Sequence, residues 1–417
     1  MSFRDFRKAG HPPTLLSAFL YFDVSFMVWV LLGPLGTFIG ESFKLSASQK
    51  GLLTAVPLLG GSFFRPILGW MTERYGGRTT GLIGLSVAFV PLLIAWQFAN
   101  NFGAFLALGL LLGVAGASFA AALPLASGWY PPEHQGLAMG IAGAGNSGTL
   151  LATLFAPRIA QAIGWRPVFG IAMIPVAVVW LLFFFLAKDA PGARSVKKWS
   201  EYSSLLKAGD TAWFCFIYCL TFGGFVGLSS YLSIFFHDQY HLTKVQSGDF
   251  TTLVVLFGSF LRPVGGMLSD RLGGHRMLLA VLTVTCVCLC AVATLPPPFA
   301  ALALLAVAMG MLGMGNGSVF QLVPQRFPDR VGIMTGIVGA AGGFGGFLLP
   351  SILGSVKQAT GSFGIGLTIL AAAALAGVAA LVYLKGVWRR TWPASAACRA
   401  GLRQEADEPA EVYAAGV

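Results

Sequence analysis

Two arginines in this sequence lie deep inside runs that are otherwise apolar enough to cross a bilayer. Arg65 sits in GSFFRPILGWMTERYGG (residues 61–77) and Arg262 holds the same place in GSFLRPVGGMLSDRLGG (258–274). A cation at that depth costs from about 3 to above 10 kcal/mol, so such a group faces the bundle interior or water, and usually something anionic. With one arginine in each copy, two guanidiniums converge on a central cavity from opposite sides. They repel each other unless an anion lies between them. The guanidinium is a rigid planar fork that matches a planar oxyanion in bidentate fashion. The chemistry therefore points to a carrier for a small, planar inorganic or carboxylate anion. The alternative is that each arginine ties backbone carbonyls or pairs with Asp23, which alone of the 16 acidic residues lies well inside an apolar run.

The elements that must position these groups are membrane helices. The chain of 417 residues is 56% hydrophobic and 10% charged, whereas soluble proteins carry roughly a quarter charged residues. Apolar runs of about 20 residues, the length needed to span the hydrocarbon, recur throughout. They predict spans at 15–38, 51–72, 80–98, 103–127, 137–160, 168–187, 211–236, 248–269, 277–296, 299–323, 332–355 and 365–387. The first of these is too long for a signal-peptide core and has no small-residue cleavage site after it, so it reads as span 1. The expected class is an all-α polytopic membrane protein with twelve transmembrane helices. With the N-terminus inside, the cytoplasmic segments hold 19 of the 27 Lys and Arg. That asymmetry places both termini in the cytoplasm of a cell whose cytoplasmic membrane holds the protein. The net charge of +11 is then topology, with the lipid bilayer as partner and no nucleic acid required.

The two arginine motifs are superimposed by a shift of 197 residues, and GLAMGIAGAG (136–145) aligns with GIMTGIVGAA (332–341) at a shift of 196. The longest polar stretch lies between the copies. The expected organisation is a six-helix bundle at 1–187, a cytoplasmic linker at 188–210, a second bundle at 211–387 and a tail at 388–417. Pseudo-symmetric bundles of this kind place a binding site at their interface near mid-membrane. Glycine-dense stretches in spans 5 and 11 let helices approach closely or leave room for a tiny substrate. Asn146 offers an uncharged amide to it. The cysteines read as packing residues, and His237 and His241 as solvated loop histidines with no third metal ligand. No Walker loop GxxxxGK[ST] is present, so no nucleotide is expected.

The loops GWMTERYGGR and GGMLSDRLGGHR resemble the Gly-x-x-x-Asp-Arg-x-Gly-Arg-Arg signature of the major facilitator superfamily, with Glu73 where Asp is usual. The resemblance implies an ion-pair latch at the cytoplasmic helix ends, formed by Gly69, Glu73, Arg74 and Arg78 with Gly266, Asp270 and Arg271. One arginine in each of spans 2 and 8, with a glycine-rich signature in each of spans 5 and 11, resembles the nitrate/nitrite porter family over all twelve spans. That likeness implies that Arg65 and Arg262 clamp the anion, that Asn146 and the Tyr218 hydroxyl hydrogen-bond it, and that Phe119 and Phe320 sandwich it. Thr153 stands where the span 5 signature often has glutamine, which leaves its outer end open.

The expected function is nitrate uptake, with nitrite a further substrate, by proton symport and alternating access. No enzyme activity, metal or cofactor is expected, and the unit is a monomer. Nitrate/nitrite exchange, nitrite export, an oxalate- or formate-type carrier and a non-transporting sensor are the alternatives. Asp23 is either a proton site coupled to the anion or a permanent partner of Arg65.

Overall fold

The computed structural model describes residues 3–191 and 204–402, and among these every regular element is helical. The middle of the expected linker (192–203) and the end of the expected tail (403–417) lie outside the described residues.

Among the described residues eleven helices are long and apolar enough to cross a membrane. The expected span 5 is the exception. It is broken into Pro132–Gly143, a 3₁₀ turn at Ala144–Ser147 and Gly148–Ile163. Glycine, asparagine and serine are poor helix formers, so GAGNSG yields where its neighbours hold. The pieces follow one another end to end in the place expected of span 5. Spans 1 and 4 are also interrupted, into Pro12–Trp29 and Leu32–Ser42, and into Phe102–Gly116 and Phe119–Ser127. Their counterparts in the second half, spans 7 (Gly209–Tyr240), 10 (Pro298–Arg326) and 11 (Val331–Thr360), are continuous.

The repeat is visible in how the arginine helices begin and end. Span 2 (Ala47–Tyr75) opens with a capping box between Ser46 and Gln49, and span 8 (Lys244–Leu272) with one between Thr243 and Gln246. Each box satisfies backbone donors at its helix start reciprocally. Both helices stop at a glycine of positive φ, Gly76 at 92° and Gly273 at 87°, a conformation that side chains disfavour. This backbone requirement accounts for one glycine of each Gly-Gly pair.

The two faces of the bundle differ. At the face opposite the termini the halves press together. A β-carbon on Gly51 of span 2 would lie 2.5 Å from the Pro350 carbonyl oxygen of span 11, and one on Gly248 of span 8 would lie 2.7 Å from the Thr153 carbonyl oxygen of span 5. At the terminal face Gly140 and Gly143 of span 5, and Gly332 and Gly336 of span 11, have nothing within 4 Å of that position. The interior is therefore closed on one side and open towards the termini. Span 12 continues to Thr391, and a short helix, Ala394–Arg399, docks beneath span 9 (Gly274–Ala293), where the His275 amide donates to the Ala400 carbonyl at 3.0 Å. The beginning of the expected tail is thus part of the packed fold.

Candidate anion-binding site

Arg65 is 2% exposed and Arg262 8%. The break in span 4 explains how the first is held. The Ala120 amide bonds to Ala117 instead of Gly116, which releases the Gly116 carbonyl to accept from Arg65 Nε at 3.2 Å. Arg65 Nη1 donates to the Gly339 carbonyl of span 11, across the interface between halves. Its guanidinium also lies over Phe222 at 4.8 Å and Trp29 at 5.3 Å, which supplies cation–π attraction to a desolvated charge. The Trp29 indole is itself pinned by donating to the Pro57 carbonyl at 2.6 Å.

These ties leave donors over. Arg65 Nη2 and Arg262 Nη1 are buried and have no partner, and neither have the amide oxygen and nitrogen of Asn146. The Phe119 ring lies 5.8 Å from each guanidinium carbon, so both cations address the same ring. Tyr218 stacks on Phe222 at 5.1 Å, and its hydroxyl is within hydrogen-bonding reach of Arg262. Phe320 meets Phe119 at 5.8 Å and Tyr218 at 5.1 Å. Five of the six residues expected to hold an anion, Arg65, Arg262, Tyr218, Phe119 and Phe320, are thus linked through shared contacts, and Asn146 is buried in the 3₁₀ turn of span 5. The sandwich, however, is shut. An ion between two rings needs about 7 Å, two contact distances of carbon, and the rings are closer than that and tilted by 38°. Buried polar groups are ordinarily paired, and Arg65 Nη2 and Arg262 Nη1 are donors suited to a hydrogen-bond acceptor.

One buried, unpaired residue was missed by the sequence reading. Asn316 of span 10 is fully buried with neither polar atom paired. The signal in the sequence was an amide among glycines, GMGNGSVF, four residues before Phe320.

Comparison with known proteins decides the family. The sequence profile of the Major Facilitator Superfamily matches residues 16–350 and 238–397. A "Nitrite extrusion protein" of Bacillus subtilis is 35% identical over 86% of this chain and 91% of its own length. The "Probable nitrate/nitrite transporter NarK2" of Mycobacterium tuberculosis is 35% identical over 88% and 94% respectively. The chain belongs to the nitrate/nitrite porter family of the major facilitator superfamily. A crystal structure of a D-xylose–proton symporter superimposes with a TM-score of 0.70, covering 89% of this chain and 96% of the other at 16% identity, which establishes the fold alone.

Elsewhere in this porter the arrangement differs from expectation in informative ways. Asp23 does not pair with Arg65. Its carboxylate accepts from Ser147 Oγ at 2.6 Å and from the Gly148 amide, because the broken span 5 turns its backbone donors towards span 1. At the terminal face the guanidinium of Arg74 lies over Trp70 and Tyr75. The Arg78 amide donates to Asp189 at 3.0 Å and its Nη2 to the Phe184 carbonyl at 2.8 Å. Asp270 takes a hydrogen bond from Gln321. Gly69 has only Ala120 near its β-carbon position and Gly266 nothing, while Glu73 and Arg271 occupy the last turns of spans 2 and 8.

Ion pairs that join the halves are found at the opposite face: Lys50 with Asp238 at 2.8 Å, Arg158 with Asp249 at 2.6 Å, and Lys244 with Glu41. His237 belongs to this set and is no loop residue. The span 7 helix runs through it, its Nδ1 lies 2.7 Å from the Leu242 carbonyl, and its Nε2 is 3.7 Å from Glu41. His241 caps the helix in a left-handed conformation. Thr153, the departure from the family signature, accepts from Thr252 Oγ1 at 2.8 Å across the same interface.

The closure is testable with a reversible crosslink. Ser48 Oγ and Ser355 Oγ lie 3.4 Å apart across the halves, so their β-carbons can adopt disulfide spacing. The double variant Ser48→Cys/Ser355→Cys is expected to lose more than about 90% of transport on oxidation and regain it with reductant, if that mouth must open in each cycle. Full transport by the crosslinked protein would show that it need not.

Proposed function

We propose that this porter carries nitrate, and nitrite as a second substrate, into the cell by proton symport and alternating access, working as a monomer. The observation that carries the reading is the pair of buried guanidiniums, each with an unpaired nitrogen, addressing one phenyl ring. The excess of Lys and Arg on the terminal face supports a cytoplasmic orientation of both termini in the cytoplasmic membrane. On that orientation the conformation described is the inward-facing one. Residues 1–187 and 211–387 would be the rocking units and 188–210 their link. The names of the relatives from Bacillus and Mycobacterium support nitrate and nitrite over formate or oxalate.

Proton coupling follows from energetics. Moving a monovalent anion into a negative-inside cell is opposed by about 2.3 kcal/mol per 100 mV, so net uptake needs a co-transported proton or an exported anion. Asp23 is the acidic group at the site's depth. Its donors from Ser147 and Gly148 also favour a second reading, nitrate/nitrite exchange, because they satisfy the carboxylate without a proton.

Uptake into proteoliposomes at fixed membrane potential separates the two. An inward proton gradient is expected to drive nitrate accumulation in the wild type, and Asp23→Asn is expected to lose at least about tenfold of the gradient-driven part while retaining exchange. Gradient-driven uptake unchanged in Asp23→Asn would remove Asp23 from the proton path. Uptake that ignores the gradient and requires internal nitrite would establish the exchanger. Formate or oxalate outcompeting nitrate would overturn the substrate assignment.

A further inference from the structure

The family likeness accounts for one buried amide, Asn146, and the structure contains a second, Asn316, whose polar atoms are likewise unpaired. We infer that Asn316 is an additional hydrogen-bond donor to the anion, placed to serve the third oxygen of nitrate and so to favour nitrate over nitrite. The inference rests on the nitrate/nitrite reading above.

The position follows from how span 10 is oriented by its glycines. A β-carbon on Gly313 would meet the Gly258 carbonyl at 2.0 Å and one on Gly317 the Arg262 carbonyl at 2.6 Å, so those two positions face span 8. A β-carbon on Gly315 would meet Thr221 of span 7 at 2.8 Å and Val281 of span 9 at 3.0 Å. Successive side chains on a helix are turned by about 100°, which puts residue 316 on the arc between spans 7 and 8. Phe320, one turn later, lies on that same arc, and it is there that its ring meets Phe119 and Tyr218. Asn316 is therefore level with Arg262 and directed to the side of span 10 that lines the site.

Its chemistry needs an occupant. Asn316 is fully buried, and both its amide nitrogen and its oxygen lack partners. Asparagine disfavours a helix interior, and a buried amide without partners is unfavourable. A bound anion removes that penalty by accepting from the amide nitrogen.

The discrimination arises from oxygen count. Nitrite has two oxygens, and the two guanidiniums that lie over Phe119 are sufficient to engage both. Nitrate has a third in the same plane, and Asn316 adds a donor for it beyond those of Asn146 and Tyr218. A site that leaves a substrate oxygen unbonded discriminates weakly, whereas a donor matched to one substrate's extra acceptor discriminates strongly.

The test compares KM for nitrate and nitrite in proteoliposomes containing wild-type protein, Asn316→Ala and Asn316→Ser. Asn316→Ala is expected to raise the nitrate KM at least about tenfold, to change the nitrite KM less than about threefold, and to leave the maximal rates within about twofold. Asn316→Ser, which keeps a donor on a shorter arm, is expected to fall between. Thermal stabilisation of the detergent-purified variants by added nitrate reads the same loss without transport, since a ligand bound to the folded state raises Tm by an amount that grows with the logarithm of its concentration over Kd. Nitrate and nitrite KM moving together would make Asn316 a packing residue and overturn the inference, as would unchanged KM for both. Wild-type protein that neither transports nor is stabilised by either anion would overturn the underlying reading, and the role of Asn316 with it.

Discussion

Arg65→Lys and Arg262→Lys are each expected to lower nitrate uptake at least about a hundredfold. A lysine preserves the charge but replaces a planar fork by a compact ammonium. At position 65 the fork performs three tasks at once. Nε holds the Gly116 carbonyl, Nη1 holds Gly339, and Nη2 remains for the anion. A single ammonium cannot span these directions. Hydrogen bonds to charged groups contribute about 1.5–3 kcal/mol each, and every 1.4 kcal/mol is about tenfold. Losing two such bonds therefore gives a hundredfold or more. The two variants should differ in a second readout. Arg65 also bridges spans 2 and 11 and lies over Trp29 and Phe222, so Arg65→Lys is expected to lower Tm as well, while Arg262→Lys loses transport with less change in Tm. Uptake within threefold of wild type in either variant would remove that arginine from the clamp.

Gly148→Ala is expected to abolish function through packing alone, while Gly143→Ala in the same glycine-rich run is tolerated. A β-carbon on Gly148 would sit 1.7 Å from the Asp23 carbonyl oxygen and 2.9 Å from the Met27 amide nitrogen. Both neighbours are backbone, so relief requires spans 1 and 5 to separate, which also pulls Ser147 and the Gly148 amide away from the Asp23 carboxylate. Overpacking of a tight interior costs about 1–3 kcal/mol and at times more, and a contact this short belongs at the upper end. Gly143 has nothing within 4 Å of its β-carbon position. Alanine there replaces a helical glycine at a gain of up to about 1 kcal/mol. Tm and uptake measured on both variants check the pair. Equal tolerance of both would mean that spans 1 and 5 are not packed as described.

The contrast also divides two roles that composition leaves merged. Gly145 and Gly148 are where span 1 presses on span 5. Gly140, Gly143, Gly332 and Gly336 border open space, and Gly339 lies near Arg65 and Phe119. Glycine content reports that volume is missing without reporting which neighbour, helix or substrate, fills it.

Much of this protein was determined by sequence alone. Apolar runs of about 20 residues, the cost of an isolated intramembrane charge and the shift of 197 residues each act locally or by simple repetition. They were sufficient for the membrane class, the duplicated arginine and, by likeness, the family. Tertiary structure alone decided which carbonyls hold Arg65, that Asp23 turns to span 5 and not to Arg65, that Lys50, Arg158 and Lys244 pair across the halves opposite the termini with His237 near them, and that Asn316 is buried and unpaired. Arg65 and Gly339 are 274 positions apart, and Asp23 and Ser147 are 124 apart. Such partners are chosen by which helix breaks free a carbonyl or an amide and by which helices lie close enough to use it. Those outcomes depend on packing between segments distant in the chain, and no local pattern of residue types encodes them.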